Sequence, residues 1–123
     1  MSAPVDISAQ FAAGDAAIAA RDLVRAREAY GRVLDATSLS HRDALRATEG
    51  LYRARAFGLV IRAFGLAGTL ARAEEPYRYY LAVALYETGQ YAAARRELAA
   101  VLPFIELTPD VARYQQKIQR AIE

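Results

Sequence analysis

The chain has no cysteine and no tryptophan, and a single histidine and a single methionine among 123 residues. Without cysteine there is no disulfide framework and no thiolate metal site. The lone His41 has no second imidazole with which to share a metal, so it reads as an exposed residue of a helical first turn. Long apolar runs are missing too. The most apolar stretch, Phe57 to Leu70, is interrupted by Arg62 and falls short of the ~20 residues that cross a bilayer. The first residues, Met-Ser-Ala-Pro-Val-Asp, carry neither a basic stretch nor an apolar segment of secretory type, which predicts a cytoplasmic protein with no membrane partner. Nor is there an excess of one charge. Sixteen bases against fourteen acids leave +2, and the signs interleave, as in Arg25-Ala-Arg27-Glu28 and Arg95-Arg96-Glu97. Such alternation is a solvated helix face, and it argues against nucleic acid despite a pI near 9.1. Fifteen of the sixteen bases are arginine, which suits bidentate carboxylate pairing and equally reflects a compositional bias.

What the chain has in abundance is alanine, which outnumbers every other residue type, while Val, Ile and Thr are few. Alanine loses no side-chain entropy in a helix and lets neighbouring helices approach closely, so an all-α fold follows. A size of 123 residues suffices for one domain, 1–123, with a core of its own. Breaks at regular intervals predict seven helices, at about 7–20, 23–36, 41–54, 57–70, 76–88, 91–102 and 109–122. Asp22, the capping-box-like Ser40-His-Arg-Asp43, and Thr108 before Pro109 supply helix starts. Glu74-Glu75-Pro76 places negative charge and proline where the helix dipole favours both. Thr88-Gly89-Gln90 supplies a glycine where the chain must leave a helix with positive φ, and Arg21-Asp22 and Arg55-Ala56 occupy the equivalent places. Connections this short make successive helices antiparallel hairpins.

A repeat of about 34 residues runs through these helices, a period expected of stacked helical hairpins. Leu51-Tyr52 and Phe57 return as Leu85-Tyr86 and Tyr91, Val60 and Phe64 return as Ala94 and Leu98, and the register runs back to Leu23, Ala26 and Tyr30. Three spans at this spacing, about 7–40, 41–74 and 75–108, cover most of the chain, and 109–122 follows as a polar cap. In that cap Val111, Tyr114, Ile118 and Ile122 are expected to face inward, and Gln115, Gln116 and Gln119 outward.

A helical period of this length with small and large residues at fixed places resembles the tetratricopeptide repeat, whose pattern reads W-x-x-L-G-x-x-Y, then A-x-x-x-F, then P. Gly14, Ala26 and Tyr30 carry the resemblance in the first span. Leu51, Phe57 and Phe64 carry it in the second, with Val60 at the alanine place, and Leu81, Ala94 and Leu98 in the third. The tryptophan place holds Gln10, Ala44 and Arg78, and the closing proline place holds Ser38, Arg72 and Glu106. The resemblance implies an all-α helical-hairpin solenoid, about seven antiparallel helices in a right-handed superhelical array. The alternative is an unrelated antiparallel helical bundle.

Catalytic signals are sparse. The carboxylates Glu74-Glu75 adjoin at a helix start, where the dipole accounts for them, and no glycine-rich phosphate loop follows a strand. Gly58, Gly65 and Gly68 are read as lying inside a helix. The expectation is therefore a protein that is not an enzyme and holds no cofactor or metal.

The resemblance further implies that the first helix of each hairpin lines a concave groove. Its residues would be Ser8, Phe11, Ala12, Asp15 and Ile18, then Arg42, Leu45, Arg46, Glu49, Tyr52 and Arg53, then Tyr79, Tyr80, Val83, Tyr86 and Glu87. Arg113, Lys117 and Arg120 of the last helix would close it. Six of these are bases and three are acids, a local +3. Tyrosine beside arginine is the pairing that carries most energy in protein interfaces. The expected partner is another protein, offering an extended or helical segment with acidic and apolar residues to an adaptor or chaperone. The family's grip on C-terminal carboxylates uses places held here by Phe11, Asp15, Arg46, Pro76 and Tyr80, of which one is basic, so a clamp of that kind is not expected. Small bacterial secretion chaperones resemble this chain in length and in lacking other domains.

A second surface competes with the groove. Family geometry would leave Leu59, Ala63 and Leu66 of the apolar fourth helix on the convex side, near Val24, Ala92, Ala93 and Ala100. Such a stripe suits a self-assembling scaffold or homo-oligomer, unless neighbouring hairpins cover it. A nucleic-acid-binding helical repeat comes third, separable from both by its steep salt dependence.

Overall fold

The computed structural model describes residues 4–123; Met1–Ala3, the start of the stretch read for a leader, lie outside them. Every regular element among these residues is helical: α1 (Ile7–Ala19), α2 (Leu23–Val33), α3 (His41–Arg53), α4 (Phe57–Ala67), α5 (Arg78–Glu87), α6 (Tyr91–Val101) and α7 (Pro109–Ile122). Short 3-10 segments, Arg72–Tyr77 and Leu102–Phe104, precede α5 and follow α6. No helix is long and apolar enough to cross a membrane among the described residues. The chain divides into two compact units, Met1–Gly68 and Thr69–Glu123.

The helices start where side chains can accept orphan backbone protons. Asp6, Asp22, Ser40 and Thr108 accept from the N–H of Ala9, Arg25, Asp43 and Val111 at 3.0 to 3.2 Å. They stop in a repeated way. Arg21, Arg55 and Gly89 have φ of 58°, 59° and 84° and stand one period apart. Behind each, the next amide reaches five residues back: Asp22 to Ala17, Ala56 to Leu51 and Gln90 to Leu85, at 2.8 to 2.9 Å. The positive-φ residue itself donates to Ile18, Tyr52 or Tyr86, each at 3.0 Å. This is the Schellman closure, made three times at one spacing. It pairs α1 with α2, α3 with α4 and α5 with α6 as hairpins.

Three boundaries differ from expectation for backbone reasons. The amides of Leu34, Asp35 and Ala36 bond three residues back, so α2 tightens after Val33 instead of running to 36. Gly68 adopts a φ of 76° and ends α4 at Ala67, placing it outside the helix expected to contain it. Pro76 lies inside a 3-10 segment, and α5 begins at Arg78. In that segment the Glu74 carboxylate accepts the Ala71 N–H at 2.8 Å.

In the first unit the core centres on Tyr30, which is 1% exposed. Its ring lies against two glycines of different helices. A methyl on Gly14 of α1 would penetrate that ring, and one on Gly50 of α3 would lie 2.8 Å from it. Phe11 packs beside it with centroids 6.3 Å apart, and Val33, Leu51 and Val60 complete the apolar interior. Two polar contacts close off helix ends, the first between the two hairpins and the second within the α3–α4 hairpin. Arg27 Nε donates to the Ala54 carbonyl at 2.8 Å, satisfying an end of α3, and His41 Nδ1 lies 2.5 Å from the Ala67 carbonyl at the end of α4. Buried Thr48 returns its hydroxyl to Ala44 O at 2.8 Å.

The second unit buries Leu81 to Leu85 of α5, Ala94, Leu98 and Val101 of α6, and Val111 and Ile118 of α7. Arg78 donates to Glu75 and to Glu97, each at 2.9 Å, joining the start of α5 to α6. These two carboxylates, Glu75 first, raise its pKa further above the ordinary guanidinium value. In α7, Gln115, Gln116 and Gln119 are exposed as expected and Tyr114 is half-buried. Ile122 is 38% exposed instead of inward, because it occupies the last turn of the helix.

Candidate functional site

The residues expected to bind a partner fall into two sets, one in each unit. In the first unit α3 carries Arg42, Arg46, Glu49 and Arg53 at helical spacing, so they share one stripe. The three arginines are exposed and Glu49 is half-buried. Arg46 is the most fixed. Its guanidinium donates to Asp15 of α1 at 3.2 Å and sits 4.2 Å above the Phe11 ring centre. Asp15 in turn accepts the Tyr30 hydroxyl at 2.6 Å, so the core tyrosine and the surface arginine share one carboxylate. Burial, and then the hydrogen bond to Asp15, push the Tyr30 hydroxyl well above the ordinary tyrosine pKa; Arg53 and Arg46 work against that shift. Tyr52 is half-buried and meets Phe57 edge-on at 6.3 Å.

Two residues expected in this set are interior. Phe11 is 1% exposed and Leu45 4%, because Phe11 packs beside Tyr30 and Leu45 lies on the buried side of α3. Ser8, Ala12 and Asp15 are exposed and Ile18 is half-buried. The face is therefore polar and cationic, with Arg46 lying over the buried Phe11 ring.

In the second unit Tyr80 and Tyr86 are half-buried on α5. Tyr79 is 9% exposed and Val83 fully buried, so neither is presented as expected; both lie on the core-facing side of α5. Tyr80 stands between Tyr77 and Tyr79 at centroid distances of 5.9 and 6.4 Å. Tyr86 stands between Tyr91 and Tyr114 at 5.6 and 6.0 Å, the second pair edge to face. The Tyr114 hydroxyl donates to Glu87 at 2.9 Å, and Lys117 Nζ lies 5.1 Å from the Tyr114 ring centre. Arg113 pairs with Asp110 on its own helix, and Arg120 is exposed. The unit thus holds an aromatic cluster edged by one acid and one lysine.

The sequence reading missed Tyr77 and Tyr91, and it took Tyr114 for a core residue. Tyr114 had a signal, since it stands one period after Tyr80. Tyr91 is 42% exposed at the first position of α6, where turn assignment obscured its contact with Tyr86.

The proposed convex stripe is incomplete. Leu66 is 49% exposed, but Ala63 is fully buried, which corrects its placement on the outside. In α4 the single charge, Arg62, marks an outer face, and Ala63, the next residue round the helix, turns away from it into the core. Leu59 is half-covered, with its Cδ1 3.5 Å from where a methyl on Gly31 would lie.

No protein-family model, no curated protein and no solved structure matches this chain.

Proposed function

We propose that this chain is a non-enzymatic helical-hairpin repeat of tetratricopeptide type, an adaptor or chaperone that binds a segment of another protein on the first helices of its hairpins. The observation that carries the scaffold is the triple recurrence, once in each period, of one Schellman closure with the same backbone bonds. A solenoid is the arrangement such units build when each buries its apolar face on the next.

The binding role is supported by what these helices expose. Exposed Arg42, Arg46 and Arg53 on α3 favour acidic groups, and half-buried Tyr80 and Tyr86 on α5 offer apolar area with a polar tip. Because Arg46 is held by Asp15 and Phe11, and Tyr86 by two rings, both present themselves with little rotamer entropy left to lose. The preferred ligand is an acidic and apolar protein segment.

Arg46→Ala and Tyr86→Ala, made separately, test the reading with synthetic acidic-apolar peptides and their charge-reversed counterparts as probes. Each substitution should weaken the acidic-apolar set while far-UV circular dichroism stays that of the parent. Equal binding of both peptide sets by parent and variants would sink it. A self-assembling scaffold on α4 is the second reading, favoured by exposed Leu66. It predicts a Leu66→Glu protein that sediments as a smaller species than the parent.

A further inference from the structure

α1 is an unusual helix to leave at a surface. Its sequence, Ile-Ser-Ala-Gln-Phe-Ala-Ala-Gly-Asp-Ala-Ala-Ile-Ala, is apolar around most of its circumference. A helix of that kind is normally buried on all sides. Yet Ala13 and Ala16 of α1, with its C-cap Ala20, are exposed in one line at i, i+3 and i+7. They form one wall of an open groove about 10 Å long, whose other wall is the Arg25, Glu28 and Arg32 face of α2.

The repeat shows what this kind of face does when it is occupied. One period on, the same places are Ala47, Gly50 and Ala54, all buried. There they receive a helix: the Tyr30 ring of α2 lies on Gly50, and Arg27 of α2 donates to the Ala54 carbonyl. The alanine face of the first hairpin is thus the counterpart of a helix-docking face, without its helix.

The charges on α2 say which helix fits. Arg25, Glu28, Arg32 and Asp35 follow one another along the exposed side as plus, minus, plus, minus, and all four are exposed. Read backwards, that row is minus, plus, minus, plus. Two copies of α2 laid antiparallel about a two-fold axis level with residue 30 therefore oppose Glu28 to Arg32 twice, and bring Asp35, in the tightened turn after α2, towards an Arg25 that Asp22 of its own chain already holds at 3.4 Å. The axis also fits α1. Tyr30 touches Gly14, so the centre of the charge row is level with the alanine line. Alanine would meet alanine, which allows close helix approach, while Glu28 and Arg32 each meet their opposite.

We infer that the α1–α2 face is the docking surface for a second copy of this chain, paired isologously with α1 on α1 and α2 on α2, both antiparallel. This inference is independent of the partner-binding reading, whose tested residues, Arg46 and Tyr86, lie on α3 and α5 and not on the alanine line of α1. The dimer expected is a weak, concentration-dependent one, below the class of standard interfaces that bury ~800 Å² per partner.

Charge reversals on the full chain, followed by sedimentation equilibrium across the micromolar range, test it. Arg32→Glu puts two acids opposite two acids, and Glu28→Arg puts two bases opposite two bases. Each alone should weaken dimerisation more than ~10-fold, and mixing the two variants should restore a heterodimer. Ala13→Glu, at an exposed site near the axis, should give a monomer with parental helicity. A parent that stays monomeric at the highest concentration overturns the inference. So does a parental dimer that persists in both charge variants, one that is lost only with Leu66→Glu, or a mixture of the two charge variants that stays monomeric.

Discussion

In residues 4–68 a single buried tyrosine joins helices of two hairpins, whereas in residues 69–123 the corresponding joints are an arginine and a cluster of surface tyrosines. Tyr30 reaches Gly14 on one side and Gly50 on the other, and only its hydroxyl comes out, to Asp15. Arg78, about a quarter exposed, instead spans Glu75 and Glu97, and Tyr86, Tyr91 and Tyr114 remain partly in solvent. One unit is pinned from inside by shape, the other at its edge by charge and ring contacts. Interior shape complementarity is costly to disturb because close-packed neighbours cannot relax far. Edge contacts are worth less individually and are more easily diverted to a ligand.

The largest blow to this contrast should come from Tyr30→Ala, which empties the centre of the first unit. A loss of about 3–5 kcal/mol in urea unfolding is expected. The same side chain gives the contrast a pH signature. Its folded pKa lies above its unfolded value of about 10, so the stabilisation is complete below that pH and is lost as pH rises toward the folded value. The urea midpoint should fall on going above pH ~10 in the parent. In Tyr30→Phe the drop should be smaller, and an identical drop would remove Tyr30 as its source.

Overpacking comes next. Gly14→Ala and Gly50→Ala force the new methyl into the Tyr30 ring and should each cost about 1–3 kcal/mol, Gly14 the more. If shape is what pins the first unit, Gly58→Ala and Gly65→Ala, whose methyls would meet open space, should not destabilise. In the second unit Arg78→Ala should cost about 1 kcal/mol, since its carboxylate partners are partly hydrated, and the cost should shrink in high salt.

The smallest effects probe the turns. Arg55→Gly relieves a left-handed backbone at a non-glycine residue and should stabilise by up to about 1 kcal/mol. Gly89→Ala, the reverse change one repeat later, should destabilise by about 1 kcal/mol. Thermal unfolding of the two variants beside the parent measures both signs.

Much of the fold could be read from the sequence because its determinants are local. Asp22, Ser40 and Thr108 cap helices through bonds three residues away, and the positive φ at Arg21 and Arg55 could be inferred only because Gly89 marked the same place in register. What escaped depends on contacts distant in sequence. One period after Gly14 comes Thr48, not Gly50, so nothing in the repeat announces that both glycines serve one tyrosine. Ala63 was misplaced because an alanine carries no sign of its own, and only the neighbouring Arg62 marks the outer face of its helix. Tyr79 and Tyr80 are adjacent and chemically identical, yet one is buried and the other half-exposed, a difference of helix rotation that residue type does not encode. Of the candidate site, the arginines of α3 and Tyr86 were legible as exposed polar or amphipathic positions. Their anchoring by Asp15, Phe11, Tyr91 and Tyr114 was not, because each anchor belongs to another helix.

Amide chemical-shift mapping of the protein during titration with an acidic-apolar peptide tests the central claim most directly. Partner binding on the first helices predicts saturable shifts concentrated at Arg42, Arg46 and Tyr52 of α3 and at Tyr80 and Tyr86 of α5. Shifts confined to the second helices α2, α4 and α6, with those α3 and α5 amides unmoved, would contradict it.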